Sequence, residues 1–169
     1  MTVIVFGLPG SGKSYFATRL AELLGASYIS SDQLRMQLYA KRTYTENEKL
    51  SVYDTMLSKM LEHLEQRENL VLDATFFKNS IRQKFIEASR GLCPIIFIQV
   101  IANENLTRER LKNKRPDSEA DFEVYNKVKA EWEPMTDAHL SLQSTNDNII
   151  EMLHQAEKYI HLKDDERRD

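Results

Sequence analysis

The stretch that decides the fold is Val3-Ile4-Val5-Phe6-Gly7-Leu8-Pro9-Gly10-Ser11-Gly12-Lys13-Ser14. Four apolar, mostly β-branched residues predict a buried strand, and the next eight match G-x-x-x-x-G-K-[ST], a phosphate-binding loop set between a strand and a helix. Gly7, Gly10 and Gly12 reach backbone angles that side chains forbid, so successive N–H groups can turn inward around one anion. Lys13 can reach β- and γ-phosphates, and the Ser14 hydroxyl can ligate the Mg²⁺ that accompanies them. The following helix points its N-terminal partial positive charge at the same place. A dinucleotide fingerprint fails, because G-x-G-x-x-G starting at Gly10 would need a glycine where the chain has Tyr15. Gly7, Pro9, Gly10, Ser11, Gly12, Lys13, Ser14 and Tyr15 are the expected nucleotide-binding residues.

Outward from this loop, strands and helices alternate. Phe16, Leu20, Leu23 and Leu24 predict a helix face ending at Gly25, and Ser27-Tyr28-Ile29 a short strand. Ser30 and Gln33 form a capping box, which places Asp32 in the first turn of the next helix with Arg35 one turn on. A second box, Thr45 and Glu48, opens a long helix with Leu50, Tyr53, Leu57, Met60, Leu61 and Leu64 at helical spacing up to about Arg67. Leu70-Val71-Leu72 is a third strand ending in Asp73-Ala74-Thr75, and Ile81, Phe85 and Ile86 mark a helix that ends at Gly91. Pro94 to Ile101 predicts a strand covered on both faces. A basic helix over Asn103 to Asn113 follows, then one capped by Ser118 and running to about Ala130 with Phe122, Tyr125 and Val128. Leu140-Ser141-Leu142 is a weak fifth strand. Asp147 is the expected cap of a last helix carrying Ile149, Leu153, Ala156 and Ile160, with a frayed charged tail from Lys163. The pattern predicts one α/β P-loop domain over residues 1–169, with a parallel sheet of about five strands and helices on both faces. Strand order is not encoded in periodicity.

With 169 residues and a net charge of −3, the chain can bury a core without disulfides, and it lacks the general basic surface needed to grip long nucleic acid. The single cysteine, Cys93, precedes Pro94 at a strand mouth and is expected to be a buried structural thiol. The N-terminal apolar run is too short and lacks the basic flank of a signal peptide, and no stretch is long enough to span a membrane. A soluble, cytoplasmic monomer is expected. The four histidines show no metal-ligand spacing.

Phosphoryl transfer needs phosphate positioning, charge neutralisation and a group that orients the nucleophile. Asp32 could accept a proton from an attacking hydroxyl, and Arg35 could hold a polar group of the acceptor through its planar fork. Asp73, at the end of an apolar strand, has the position of an acid that reaches Mg²⁺ together with Ser14. The basic residues between Arg108 and Arg115 could close as a lid, with Arg110 or Arg115 neutralising transition-state charge.

Four stretches in this order, Gly7 to Ser14, Ile29 to Arg35, Val71 to Thr75, and the lid region with Arg110, Arg115 and Ser118 to Asp121, resemble the small P-loop kinases. That group includes predicted bacterial ATP-dependent kinases, zeta toxins, chloramphenicol phosphotransferase and polynucleotide 5′-hydroxyl kinase domains. The resemblance implies a nucleoside-kinase-like fold with a helical lid near 108–130, ATP as donor, Asp32 as base, Arg35 as acceptor ligand and lid arginines on ATP. Polynucleotide kinases tend to carry Asn after Asp-Ala-Thr, where this chain has Phe76. That substitution leans the expected acceptor toward a small molecule bearing a hydroxyl, with a short 5′-hydroxyl nucleic acid second and a nucleotide switch third. Residues around Phe76 and Phe77 and the helix after Thr45 are the expected walls of the acceptor pocket. A guanine-specific switch would need Asn-Lys-x-Asp, and Asn113-Lys114-Arg115-Pro116 lacks the acid.

Overall fold

The structure, a computed structural model, describes residues 1–113 and 120–166. Its elements run β1 (Thr2–Phe6), α1 (Lys13–Leu24), β2 (Ser27–Ser30), α2 (Ser31–Leu38), α3 (Glu46–Glu65), β3 (Leu70–Ala74), α4 (Asn79–Ser89), β4 (Ile95–Ala102), α5 (Glu104–Lys112), α6 (Phe122–Ala130), β5 (Leu140–Ser144) and α7 (Ile149–Asp165). The strands form a five-stranded sheet in the order β2-β3-β1-β4-β5, and every pairing is parallel.

Side chains alternate across a strand, so β1 supplies both halves of the core. Ile4 and Phe6 face one side, where Leu34 of α2, Val52, Tyr53, Met56 and Met60 of α3, and Ile81 and Phe85 of α4 cover the sheet. Val3 and Val5 face the other, under Phe16, Ala17, Leu20 and Ala21 of α1 and Met152, Ala156 and Ile160 of α7. All five β1 residues are buried, as a central strand of a doubly covered parallel sheet requires. Trp132, just beyond α6, lies parallel on Phe6 with ring centroids 6.1 Å apart.

Local signals placed most helix ends. Gly25 caps α1 in the left-handed conformation at φ 57°, Ser30 Oγ accepts from the Gln33 amide and Thr45 Oγ1 from the Glu48 amide. Other expectations are corrected. Leu23 and Leu50 are exposed, and the buried faces run instead through Ala17 and Ala21 in α1 and through Val52 and Met56 in α3. Ser118 lies outside the described residues, and α6 is capped by Asp121, whose Oδ1 accepts from the Val124 amide. Asn148, not Asp147, stands at the head of α7, and Asp147 Oδ1 accepts from the Thr145 hydroxyl instead. β4 is covered on both faces only in its first part, since Ile101 is exposed. Cys93 is half-buried, and α7 continues through Asp165 instead of fraying at Lys163.

The connection from β3 to α4 turns sharply at Phe76, which holds φ 46° with its side chain fully buried. A bulky residue in that region costs on the order of 1–3 kcal/mol, so its neighbours must over-determine it. They do so from both sides: the Phe76 amide donates to the Tyr53 hydroxyl at 3.0 Å, and Arg82 Nη1 donates to its carbonyl at 2.8 Å. Arg82 is itself fully buried, and its Nη2 donates to the carbonyls of Glu133 and Pro134. One guanidinium therefore ties the β3–α4 turn to the chain leaving α6. Arg82→Leu would leave these carbonyls unmet and should cost about 3 kcal/mol or more. For a chain of this size that lowers the thermal midpoint by roughly 6 °C or more; an unchanged midpoint would show that the turn is held by the aromatic packing alone.

Candidate active site

β1 and β3 are neighbours, yet α1 and α4, the helices that follow the loops at their ends, cover opposite faces. This leaves a crevice at their carboxyl ends, where open α/β sheets bind ligands. The glycine-rich loop fills it. Gly7 has φ 153° and lies so close to β4 that a Cβ there would stand 2.3 Å from the Val100 carbonyl oxygen. Gly12 has φ 91°, and a Cβ there would stand 2.9 Å from Ser144 Oγ and 3.0 Å from Arg110 Nη1. The loop is thus clamped between β4 beneath and α5 beside it, and α1 starts at Lys13.

Two clefts open on either side of the loop. The first, of about 520 Å³, is lined by Pro9, Lys13, Ser14, Asp32, Arg35 and Asp73 together with Tyr44, Tyr53, Phe77 and residues of α6. Five of the residues singled out from sequence for chemistry, Lys13, Ser14, Asp32, Arg35 and Asp73, are brought together here. Lys13 is largely buried and makes no ion pair with any described residue, an arrangement that an incoming anion would satisfy. Asp73 is buried at the end of β3; its Oδ2 accepts from the Tyr28 hydroxyl at 2.8 Å, while its Oδ1 has no hydrogen-bond partner among the described residues. A buried carboxylate oxygen without a donor, in the cleft that also holds the Ser14 hydroxyl, is the donor set a hard divalent cation prefers. These residues fit Mg²⁺.

Asp32 and Arg35 face each other at 3.5 Å, as their spacing predicts. The sequence did not reveal the third member of the group. Glu48, buried at the start of α3, brings Oε1 to 3.1 Å from Arg35 Nε. Neither atom has a directed hydrogen bond, so this is an ion contact. Its other oxygen, Oε2, accepts from the Thr43 amide at 2.7 Å, the Thr43 hydroxyl at 2.8 Å and the Tyr44 amide at 3.1 Å. Glu48 thereby fixes both Arg35 and the 39–45 loop, and it holds Tyr44 at φ 54° with its ring 4.9 Å from the Arg35 guanidinium carbon. Burial pushes the Glu48 carboxyl upward, but the Thr43 and Tyr44 bonds and Arg35 outweigh it and leave the pKa below the ordinary value. Phe77 lines the cleft as expected, whereas Phe76 is a core residue that does not. Its identity therefore says nothing direct about the acceptor.

The second cleft, of about 440 Å³, is lined by Gly10, Gly12, Tyr15, Arg110, Ser144, Thr145, Asn146 and Asn148 among others. Arg110 lies here, away from Asp32 and Arg35. Its Nη1 donates to the Ser11 carbonyl at 3.0 Å and to Ser144 Oγ at 3.1 Å, and its Nη2 to the Thr145 carbonyl at 2.8 Å. The other described residues of the basic cluster do not converge with it. Arg108 lies over the Phe122 ring, Lys112 pairs with Glu109, and Arg115 falls outside the described residues. From α6, Val124, Lys127 and Val128 border the first cleft, and Lys129 of the same helix pairs with Glu104 at the head of α5. No helix of the described residues is long and apolar enough to cross a membrane.

The AAA domain family matches residues 3–135. An adenylate kinase from Thermococcus gammatolerans is 28% identical over 128 residues, which cover 68% of this chain and 56% of that protein. The chain thus spans little more than half the length of the curated relative it matches. Among solved structures, a sugar kinase from Janibacter superposes with a TM-score of 0.73 at 14% identity over 95% of this chain and 94% of the other. The Mycobacterium tuberculosis APS kinase, solved with AMPPNP and APS, superposes with a TM-score of 0.70 at 19% identity over 95% and 96%. The fold is that of the P-loop kinases.

The Glu48 arrangement sets a test of how the first cleft is held open. Glu48→Gln keeps the shape and removes the charge, and should speed amide exchange at Thr43 and Tyr44 by roughly tenfold or more. Because its pKa is lowered in the folded chain, Glu48's contribution is complete above the ordinary value of 4.5 and fades as the pH falls through the lower folded value. Exchange at the same two amides, corrected for intrinsic rates, should therefore rise on acidification and not on alkalinisation. Protection that is equal in both proteins would show that the backbone alone holds the loop.

Proposed function

The chain belongs to the AAA domain family, within the small P-loop kinases, and from that premise we propose that it is an ATP-dependent phosphotransferase acting on a hydroxyl of a small-molecule acceptor. The observation that carries this reading is the division of labour around the loop. Lys13, Ser14 and Asp73 line the first cleft together with Asp32 and Arg35, and Arg110 lines a separate cleft that also borders the loop. Under this reading the triphosphate lies along the loop amides, with its nucleoside in the second cleft beside Tyr15 and Arg110 and its γ-phosphate on Lys13. Ser14 and Asp73 would hold Mg²⁺, which when bound offsets the negative charge of the β- and γ-phosphates.

Asp32 would then orient the acceptor hydroxyl and take its proton, while Arg35, held by Glu48, binds a polar or anionic group of the acceptor. Because Asp32 lies in the first turn of α2, the helix N-terminus favours its ionised form. In this role Tyr44, Tyr53 and Phe77 give the acceptor an aromatic wall, and α6 covers it, which limits attack by water. Arg110, already bound to the Ser11 carbonyl, to Ser144 Oγ at the end of β5 and to the Thr145 carbonyl just after it, serves in this scheme to brace the loop and flank the nucleoside.

The test is a phosphoryl-transfer screen with γ-labelled ATP against hydroxyl-bearing metabolites, 5′-hydroxyl oligonucleotides and nucleoside monophosphates. The last group is included because of the likeness to an adenylate kinase. Transfer to a small-molecule hydroxyl is expected; exclusive transfer to oligonucleotides or to a phosphate would replace the acceptor assignment. Lys13→Ala should lower turnover roughly a hundredfold or more, the scale of losing one preorganised charge. Asp32→Asn should bind ATP about as well as the wild type and transfer far more slowly in single turnover. A collapse of its ATP affinity would instead place Asp32 on the donor side.

A further inference from the structure

Tyr28 was read from sequence only as a strand residue, and the reaction outlined above makes no use of it. It lies on β2, an edge strand, paired with Val71, while Ser30 pairs with Asp73. Residues two apart on a strand share a face, so the Tyr28 ring can run along the sheet and bring its hydroxyl to the Asp73 carboxylate. The bond to Oδ2 is 2.8 Å. The ring packs in the apolar cluster beneath α1. On the same face, Thr18 Oγ1 donates to the Ser14 carbonyl one turn back along α1.

A carboxylate end turns about a soft, nearly two-fold torsion, so burial alone does not decide where each oxygen points. One directional bond to Oδ2 does. With that oxygen engaged by Tyr28, Oδ1 is the atom left without a protein donor. We propose that Tyr28 is a positioning residue, whose hydroxyl holds the Asp73 carboxylate so that Oδ1 serves the divalent cation accompanying the nucleotide phosphates. The inference rests on the assignment of Asp73 as a metal acid.

The test is a titration with Mn²⁺ in the presence of AMPPNP, read by electron paramagnetic resonance as free and bound metal, with no turnover involved. Tyr28→Phe keeps the ring in its apolar cluster and removes only the hydroxyl. It should weaken Mn²⁺ binding roughly ten- to a hundredfold, as loss of a partner behind a metal ligand does. AMPPNP affinity measured in EDTA should stay within about twofold. Asp73→Asn and the double variant complete a cycle: if Tyr28 acts through Asp73, removing its hydroxyl in the Asp73→Asn background changes Mn²⁺ affinity no further. Wild-type Mn²⁺ affinity in Tyr28→Phe, or losses that simply add in the double variant, would overturn the proposal while leaving Asp73 as a metal acid. Wild-type affinity in Asp73→Asn would remove the assignment on which it rests. Should Tyr28→Phe fold poorly, a further loss of Mn²⁺ affinity in the double variant relative to Asp73→Asn would still overturn the proposal, since the buried charge is absent from both.

Discussion

No side chain fits at residue 7. The chain leaving β1 passes so near the Val100 carbonyl that even a methyl group would overlap it, and this close approach is what lays the phosphate-binding loop flat across the end of the sheet. Much of the remaining architecture follows from it. A loop that low can be gripped from the side by α5, whose Arg110 reaches both the Ser11 carbonyl and the segment after β5. It can also launch α1 onto one face of the sheet while the helices after β2 and β3 cover the other. The crevice between β1 and β3 is the geometric remainder of that split.

The two buried guanidiniums among the described residues show two ways of keeping a cation inside a protein. Arg82 is surrounded by carbonyl oxygens and ties two turns together, with no ion pair among the described residues. Arg35 lies between Asp32 and Glu48 and opens on a cleft. The first arrangement is turned inward: carbonyl dipoles meet both terminal nitrogens that burial has removed from water, and only Nε is without a partner among the described residues. The second leaves guanidinium N–H donors and charge at the cleft, which is the character expected of a group that meets a ligand.

What could be read from the chain alone was whatever covalent neighbourhood encodes. The loop motif, the capping boxes at Ser30 and Thr45, the glycine after α1 and the pairing of Asp32 with Arg35 all depend on residues within a few positions of each other. The fold class followed from the alternation of strands and helices. Strand order did not, because parallel neighbours meet only through long crossovers. Glu48 looked like one half of a capping box, yet its carboxylate turns back to Thr43, Tyr44 and Arg35, a tertiary choice that spacing does not express. Phe76 drew notice as a substitution in a motif, but its role is to complete a strained, buried turn. Val52 and Met56 were legible in principle, since with Tyr53 and Met60 they form a helical stripe shifted from the one centred on Leu50 and Leu57.

Trp132, the chain's only tryptophan, lies parallel on Phe6 at the foot of α6, one residue before the glycine that begins the loop. An indole so placed is an optical gauge built into the protein. Its emission depends on the stacking of α6's base against the sheet, so any change in that stacking alters colour and intensity without a label. The neighbouring connection is tied down, with the Glu133 amide donating to the Phe77 carbonyl and Arg82 holding the Glu133 carbonyl. Such a gauge reads the seat of α6 on the sheet and not the far end of that helix.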